Sequence, residues 1–375
     1  MTDSPQCRRA LNLAHRSRSV CNPNPAVGCV ITATDLNILG QGHTQQAGGP
    51  HAEVMALRDA AARGHDVRGA TAYVTLEPCS HHGRTGPCCD ALIAAGIGKV
   101  VVSNTDPNPL VSGQGLARLR AAGVAVDLLP QDDPVAIASR ELNIGFFSRM
   151  VRKTPWVRLK VAASVDGTTA LTNGSSKWIT SEAARADGHA WRARSCAVLT
   201  GIGTVLADDP RLDVRLVDTP RQPHLVIVDG KLDTPLQAKL FEIQRQVLIY
   251  TAVINPEKSV ALKALGATVI HMPAEVNANA EKVNLRDMLS DLARREINEL
   301  HVEAGHRLNG SLVRQGLVDE FVIYLAPKLM GDGAGMVNLG PLTELDAAVP
   351  LTFKSCEMVG PDLRILARIP GRDVF

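Results

Sequence analysis

The stretch EPCSHHGRTGPCCD, Glu77 to Asp90, places three cysteines and two histidines within fourteen residues, and its reading decides the fold of the first half of the chain. Pro78 and Cys79 follow the apolar run ATAYVTL, whose composition predicts a strand; Pro87 and Cys88 open PCCDALIAAG, which predicts a helix closed by Gly96. A cysteine at the start of a helix is favoured as thiolate by the helix macrodipole. Working outward, HAE at His51 to Glu53 follows GGP and opens a second helix, HAEVMALRDAAARG, ended by Gly64. Residues two apart on a regular helix face different ways, so His51 and Glu53 converge on one centre only at the helix start, where backbone angles have not settled. His51, Cys79 and Cys88 then offer one imidazole and two thiolates to zinc. A structural zinc site normally uses four protein ligands, and three leave a position for water. Bound zinc lowers the pKa of that water to about 7, and Glu53 is placed to carry its proton to a departing amine. H-x-E with P-C-x-x-C is the signature of zinc nucleobase deaminases, although here eight residues, not two, separate Cys79 from Cys88. Cys89 lies one residue into the helix, turned roughly 100° away, and reads as packed. His81 or His82 could close the site as a fourth ligand; His81 is preferred as a substrate contact.

Around this loop the elements alternate. SPQCRRALNLAHR reads as a helix with Ser4 as N-cap and Pro5 at its first position, and AVGCVIT pairs with ILGQGH as a hairpin around TDLN. After KVVVSN comes the loop DPNPLVSGQG and a weaker helix and strand to Leu129. Helix, strand, helix, strand after an opening hairpin argues a sheet sandwiched by helices. Residues 131 to 150 read as one helix and its exit, and RKTP at Arg152 to Pro155 as a polar connector. A second α/β series follows, with strands at WVRLKVAAS, CAVLTGIG, HLVIVDG, QVLIYTA, ATVIHM, ELHVEAG and EFVIYLAPKL and helices at SEAARADGHAWRAR and NLRDMLSDLARREI. Two domains, 1–150 and 151–375, fit a chain of 375 residues, longer than one core usually serves.

Composition narrows the partners. Forty basic against 38 acidic residues and 3% aromatics argue against a nucleic-acid partner. No apolar run approaches the roughly 20 residues that cross a bilayer, and MTDSPQCRRALNLAHRS lacks the apolar core of a signal peptide. The expectation is a soluble, cytoplasmic protein without a membrane partner; a homo-oligomer is compatible with it. Cys7, Cys21, Cys29, Cys196 and Cys356 are scattered and read as buried small hydrophobes. His15, His65, His189, His224 and His271 read as ordinary core or surface groups.

NPAVGCV, the Gly42–His43 pair, HAE and PCSHHGRTGPC resemble the deaminase half of the bifunctional riboflavin biosynthesis enzymes; KVAASVDG, SSKWIT, GIGTVLADDP, HVEAG and VDEFVIYLAPKLMG resemble the reductase half. The resemblance spans nearly the whole chain, with departures at Gly86 and His306, where proline is common. It implies an N-terminal cytidine-deaminase-like three-layer α/β/α domain and a C-terminal dihydrofolate-reductase-like α/β domain. The implied activity is zinc-dependent deamination of 2,5-diamino-6-ribosylamino-4(3H)-pyrimidinone 5′-phosphate, then NADPH-dependent reduction to 5-amino-6-ribitylaminouracil 5′-phosphate. Zn2+ and NADPH are the implied cofactors, and a small pyrimidine nucleotide the implied partner. By the same resemblance His51, Cys79 and Cys88 bind zinc, Glu53 shuttles protons, and Asn24, His43, His81 and Arg84 hold the first substrate. A zinc nucleobase deaminase acting on nucleic acid is the alternative.

The second half carries no G-x-G-x-x-G after a strand, and GIG at Gly201 to Gly203 is only a fragment. ELHVEAGHRLNGSLVRQG nevertheless runs from a strand through glycines into a helix, a place where backbone N–H groups receive phosphate. The resemblance implies cofactor contacts from Ala162, Trp178, Thr204, Asp208, Gly305, His306, Arg307, Leu308, Asn309, Gly310 and Ser311. It places Ser176, Arg192, Leu212, Arg215 and Glu303 around the second substrate. Arg192 and Arg215 suit a ribose phosphate because guanidinium offers paired donors in a fixed fork.

Overall fold

The computed structural model describes residues 4–80, 86–109, 111–274 and 281–375. The chain divides into two compact units, Met1–Arg152 and Lys153–Phe375. The first runs through α1 (Pro5–Ser17), β1 (Gly28–Thr32), β2 (Ile38–His43), α2 (Ala52–Ala62), β3 (Thr71–Val74) and α3 (Cys88–Ala94). It continues with β4 (Lys99–Val102), α4 (Gln114–Ala121), β5 (Ala125–Leu128), α5 (Pro134–Leu142) and α6 (Ile144–Arg152). The strands form one sheet in the order β2-β1-β3-β4-β5. The β1/β2 and β1/β3 pairs are antiparallel, and β3, β4 and β5 run parallel.

Two glycines set how closely helices lie on this sheet. A Cβ on Gly28 would stand 1.9 Å from the Ala10 carbonyl oxygen of α1, and one on Gly42 would stand 2.5 Å from the Ala56 nitrogen of α2. Gly28 pairs with His43 and Cys29 with Gly42, so the two glycines point to opposite faces of the pleat. α1 therefore covers one face and α2 the other, which is the three-layer arrangement expected. Gly64 and Gly96, where the sequence predicts helix ends, both adopt positive φ, at 73° and 72°. Over 131–150, however, two helices form where one was expected. Asn143 leaves the helical track at φ −109°, and its side chain accepts from Ala26 N at 2.7 Å and donates to Ala26 O at 2.9 Å.

The second unit begins with β6 (Trp156–Ser164), β7 (Thr168–Leu171), α7 (Glu182–Arg194), β8 (Ala197–Gly201), α8 (Ile202–Asp208) and β9 (His224–Val228). Then come β10 (Val247–Thr251), α9 (Pro256–Ala264), β11 (Ala267–His271), α10 (Leu285–Arg294), β12 (Glu299–Val302) and α11 (His306–Arg314). It closes with β13 (Glu320–Ala326), β14 (Gly333–Gly335), β15 (Thr352–Val359) and β16 (Asp362–Arg368). Nine strands form a sheet in the order β11-β10-β9-β8-β12-β6-β13-β16-β15, parallel from β11 to β13 and antiparallel beyond; β7 and β14 pair separately. Ser181 and Asn284 cap α7 and α10 through their side chains.

The sequence reading of CAVLTGIG as one strand is corrected: the strand stops at Gly201, and Ile202–Asp208 is a helix. A Cβ at Gly201 would stand 3.1 Å from Leu308 Cδ2, so this glycine lets α11 close on the strand end. Cys356 is likewise not a buried hydrophobe; it sits exposed on β15. The close approach of α1 yields a direct prediction. Gly28→Ala should destabilise the first unit by about 1–3 kcal/mol through overpacking, read as an earlier denaturant midpoint, with the unfolding midpoint of the second unit unchanged.

Candidate active sites

In the first unit the backbone brings three chain segments to the carboxyl end of β3, the edge where ligands of α/β sheets gather. His51 is the N-cap residue of α2, in extended conformation at φ −78°, ψ 170°, so its ring leaves the helix before the helical turn begins. Cys79 lies in the loop after β3, and Cys88 opens α3. His51 Nδ1 stands 3.7 Å from Cys79 Sγ and 3.3 Å from Cys88 Sγ, and the three candidate ligand atoms all lie within 4.8 Å of one another. Tetrahedral zinc with bonds of about 2.3 Å to sulfur and 2.0–2.1 Å to nitrogen needs N···S separations of about 3.6 Å. The donor set and its spacing therefore fit zinc.

The charges agree. The Cys79 thiol is held down at about 4, first by its hydrogen bond with Cys88 and then by that with His51. The Cys88 N–H also donates to Cys79 Sγ at 3.3 Å. For Cys88, the hydrogen bond with Cys79 and then burial push the thiol up. The Cys79 contact raises His51. Glu53, in the first turn of α2, is buried, and that burial pushes its carboxyl up to about 6. Cys89 is packed as expected, its thiol directed to the Pro78 and Gly115 carbonyls.

Of the other residues named for this half, Asn24 lies in the turn before β1, where its N–H donates to Cys21 O. His43 ends β2, its Nδ1 3.2 Å from Thr44 O and 3.3 Å from Gln45 Nε2. His81 and Arg84 lie outside the described residues.

In the second unit a cleft of about 1080 Å3 opens at the carboxyl ends of β8, β12 and β6. It is lined by Ala162, Ser176, Trp178, Arg192, Thr204, Asp208, Leu212, Arg215 and Glu303, and by Gly305, His306, Arg307, Leu308 and Asn309. Gly310 and Ser311 are not among its lining: a Cβ on Gly310 would stand 1.9 Å from Asn338 O, and Ser311 Oγ donates to Arg307 O. No side chain caps α11, whose first turn faces the cleft, and the buried Asn309 Oδ1 has no partner among the described residues. Free N–H groups at the start of α11 suit a dinucleotide phosphate, and the orphan acceptor suits a hydroxyl donor. Trp178 is 64% exposed, with the Arg185 guanidinium 4.7 Å over its ring, so it is not a core residue.

The two arginines differ. Arg192 is only 13% exposed and spends its fork on Glu303: Nε donates to Oε1, Nη2 to Oε2 at 2.8 Å, and Nη1 to Asp213 O at 2.8 Å. Burial alone would raise the Glu303 carboxyl, but the charge and hydrogen bonds of Arg192 hold it well below the usual range. Arg215 is 48% exposed, with one nitrogen on Asp213 at 2.5 Å, and keeps donors for a ligand. His189 is buried and its Nδ1 accepts from Arg215 N at 3.1 Å; burial, then Arg192 and Arg215, push it down to about 4.

Several contributors escaped the sequence reading. Lys160 Nζ lies 3.9 Å from Glu303 Oε2, and His301 Nε2 lies 3.4 Å from Glu303 Oε1. Arg245 donates to the Leu212 and Arg211 carbonyls and so braces the cleft wall. Alternation along β6 and β12 was the available signal, since Lys160 lies two residues before Ala162 and His301 two before Glu303. In the first unit Glu77 escaped it too.

These features define a class: a zinc-binding deaminase unit joined to a reductase unit with a dinucleotide cleft. Residues 2–104 match the cytidine and deoxycytidylate deaminase zinc-binding region family, and residues 155–365 match the RibD C-terminal domain family. The riboflavin biosynthesis protein RibD of Escherichia coli is 43% identical over 97% of this chain and 98% of that one; its counterpart from Aquifex aeolicus is 40% identical over 97% of each. The structure of Acinetobacter baumannii RibD superposes with a TM-score of 0.86 at 38% identity over 97% of both chains. A diaminohydroxyphosphoribosylaminopyrimidine deaminase/5-amino-6-(5-phosphoribosylamino)uracil reductase from Thermotoga maritima gives 0.83 at 31% identity, over 97% of both. The chain belongs to the RibD family of bifunctional riboflavin biosynthesis proteins. It is a deaminase and reductase that uses zinc and NADPH. Among the described residues no helix is long and apolar enough to cross a membrane.

The contrast between the two arginines is testable. Arg192→Ala strands the Glu303 carboxylate and should cost the second unit about 3–5 kcal/mol, the scale for breaking a buried pair, in denaturant unfolding. Arg215→Ala should leave that stability within about 0.5 kcal/mol, as exposed substitutions do.

Proposed function

We propose that the first unit hydrolytically removes a ring amino group from 2,5-diamino-6-ribosylamino-4(3H)-pyrimidinone 5′-phosphate. The second unit then reduces the ribosyl group of the product, giving 5-amino-6-ribitylaminouracil 5′-phosphate. The observation that carries this reading is the meeting of one imidazole, two cysteine sulfurs and a buried carboxylate at one strand end.

His51 Nδ1, Cys79 Sγ and Cys88 Sγ would hold the zinc. When bound, zinc lowers the pKa of its water toward neutrality and so supplies hydroxide. Glu53 stands beside the ligands without being one of them. Its carboxylate takes the proton released by water and passes it to the departing amine, so that water enters, ammonia leaves and the charge balances. Asn24, His43, His81 and Arg84 supply donors to ring oxygens and phosphate; the position of His43 at the end of β2 is consistent with this role.

In the second unit the first turn of α11 receives the cofactor phosphates through Gly305 to Asn309, with Gly310 and Ser311 supporting that turn. Ala162, Trp178, Thr204 and Asp208 border the rest of the cofactor. NADPH supplies a hydride when bound. Ser176, Leu212 and Glu303 orient the sugar, Arg192 holds the Glu303 carboxylate in place, and Arg215 takes the substrate phosphate. The division into a deaminase domain, 1–150, and a reductase domain, 151–375, is supported by the two compact units, 1–152 and 153–375. A cytoplasmic location suits the eight free cysteines, which stay reduced there.

Two separable chemistries predict a divided phenotype. Glu53→Gln should keep zinc and lose deamination by about 100-fold or more, measured as ammonia release. The same variant should oxidise NADPH at a near-normal rate with an already deaminated substrate. Loss of both activities with fold and zinc intact would contradict the reading. In the second unit, Arg215→Ala should weaken the nucleotide by about 1.5–3 kcal/mol, the worth of a charged hydrogen bond; unchanged reductase kinetics would remove Arg215 from the phosphate site.

A further inference from the structure

Glu77 precedes the proline of the cysteine loop and is 4% exposed. Its carboxylate receives four backbone N–H groups from the segment after β4. Oε2 accepts from Asp106 at 3.1 Å and from Gly113 at 2.9 Å; Oε1 accepts from Gly115 at 2.8 Å and from Leu116 at 3.2 Å. The Glu77 N–H also donates to Asn104 O at 2.9 Å. A carboxylate offers about four lone-pair sites and no donor, so it alone among side chains of this length satisfies four converging N–H groups.

This clamp reaches both cysteines. Cys79 follows Glu77 by two residues on the same backbone. Gly115, held by Glu77 through its N–H, accepts the Cys89 thiol at its carbonyl, and the same sulfur lies 3.2 Å from Pro78 O. Cys89 adjoins Cys88, and its N–H donates to Cys79 O at 3.2 Å. The approach depends on glycine: a Cβ on Gly115 would stand 2.1 Å from Pro78 O.

We propose that Glu77 is a positioning residue of the zinc site, fixing the separation of the Cys79 and Cys88 sulfurs by tying both cysteine-bearing segments to the turn that opens α4. The proposal rests on the assignment of those cysteines as zinc ligands. Glu77 touches neither metal nor substrate in this role; it acts through the backbone. Outer-shell partners of metal ligands typically govern metal affinity by 10- to 100-fold.

The test uses the full chain loaded with zinc, and its readout is the rate of zinc loss to a chromogenic chelator, with the absorption bands of the cobalt(II)-substituted protein beside it. Glu77→Gln keeps the size but turns an amide toward two of the N–H groups. Asp133→Ala is the control, since Asp133 is buried in the same unit, caps α5 through Val135 N and makes no bond to the zinc loop among the described residues. Glu77→Gln should release zinc at least about 10-fold faster than wild type and alter the cobalt bands, while Asp133→Ala lowers thermal stability and releases zinc at the wild-type rate. If Glu77→Gln does not fold, Glu77→Asp, which keeps the charge on a shorter arm, is read in the same way. Wild-type zinc retention and cobalt bands in the Glu77 variant overturn the proposal, and so does equal acceleration by Asp133→Ala, which would tie release to stability alone. Wild-type protein and Cys79→Ser separate the two claims. Zinc lost from neither of them sinks the ligand assignment and this proposal together, whereas zinc lost from Cys79→Ser and kept by the Glu77 variant sinks this proposal alone.

Discussion

The first unit depends on one convergence: His51, Cys79 and Cys88 meet although 28 and 37 positions separate the histidine from the two cysteines. The fold solves this with short elements rather than long ones. The parallel β3/β4 pair requires a crossover, and α3 supplies it, so the helix that starts at Cys88 begins beside the end of β3. α2 reaches the same edge because glycines in β2 let it lie close on the sheet. His51 and Cys88 therefore sit at helix starts and Cys79 in the loop after β3, where the backbone is anchored nearby and free to aim the side chain. A buried carboxylate beside sulfurs and an imidazole is costly to maintain, and such a cost is characteristic of reactive centres.

The second unit is organised around a different constraint. Glu299, His301 and Glu303 alternate along β12 and face Arg158 and Lys160 of β6 beneath α7, so this face of the sheet is charged where a core would normally be apolar. Arg158 pairs with Glu299 at 2.8 Å and with Glu320 at 2.5 Å, and Arg368 closes on Glu320 at 2.8 Å. Buried pairs of this kind add little stability over apolar packing. Their consequence here is geometric: Arg192 and Glu303 hold each other in a fixed orientation at the cleft wall. Positioning of this sort is what hydride transfer needs, because reacting atoms must be held in near-contact.

The cluster of His51, Cys79 and Cys88 was legible because metal chemistry admits few residue types, and because His51 and the prolines before Cys79 and Cys88 lie at or near element ends. The alternating strands of both units were legible for the same reason of pattern. Glu77 was not, since a glutamate that serves backbone N–H groups leaves no signature in residue type or spacing. β15 and β16 were missed because β15 is exposed along most of its length and shows no inward–outward alternation. Arg192 was read as a free phosphate fork; a sequence cannot show that Glu303, 111 positions away, already occupies it. The helix after Gly201 was hidden because Ile202, between two glycines, was read as the continuation of the apolar run Ala197–Leu199 of β8.

The most direct measurement incubates the zinc-loaded chain with 2,5-diamino-6-ribosylamino-4(3H)-pyrimidinone 5′-phosphate, with and without NADPH, and follows ammonia and product mass. Two sites acting in order predict ammonia and the deaminated ribosyl nucleotide without NADPH, and the ribityl product with oxidation of NADPH when it is present. A ribityl product that keeps both ring amino groups of the substrate, or no ammonia release from a fully zinc-loaded protein, would contradict the assignment of deamination to the His51, Cys79 and Cys88 centre.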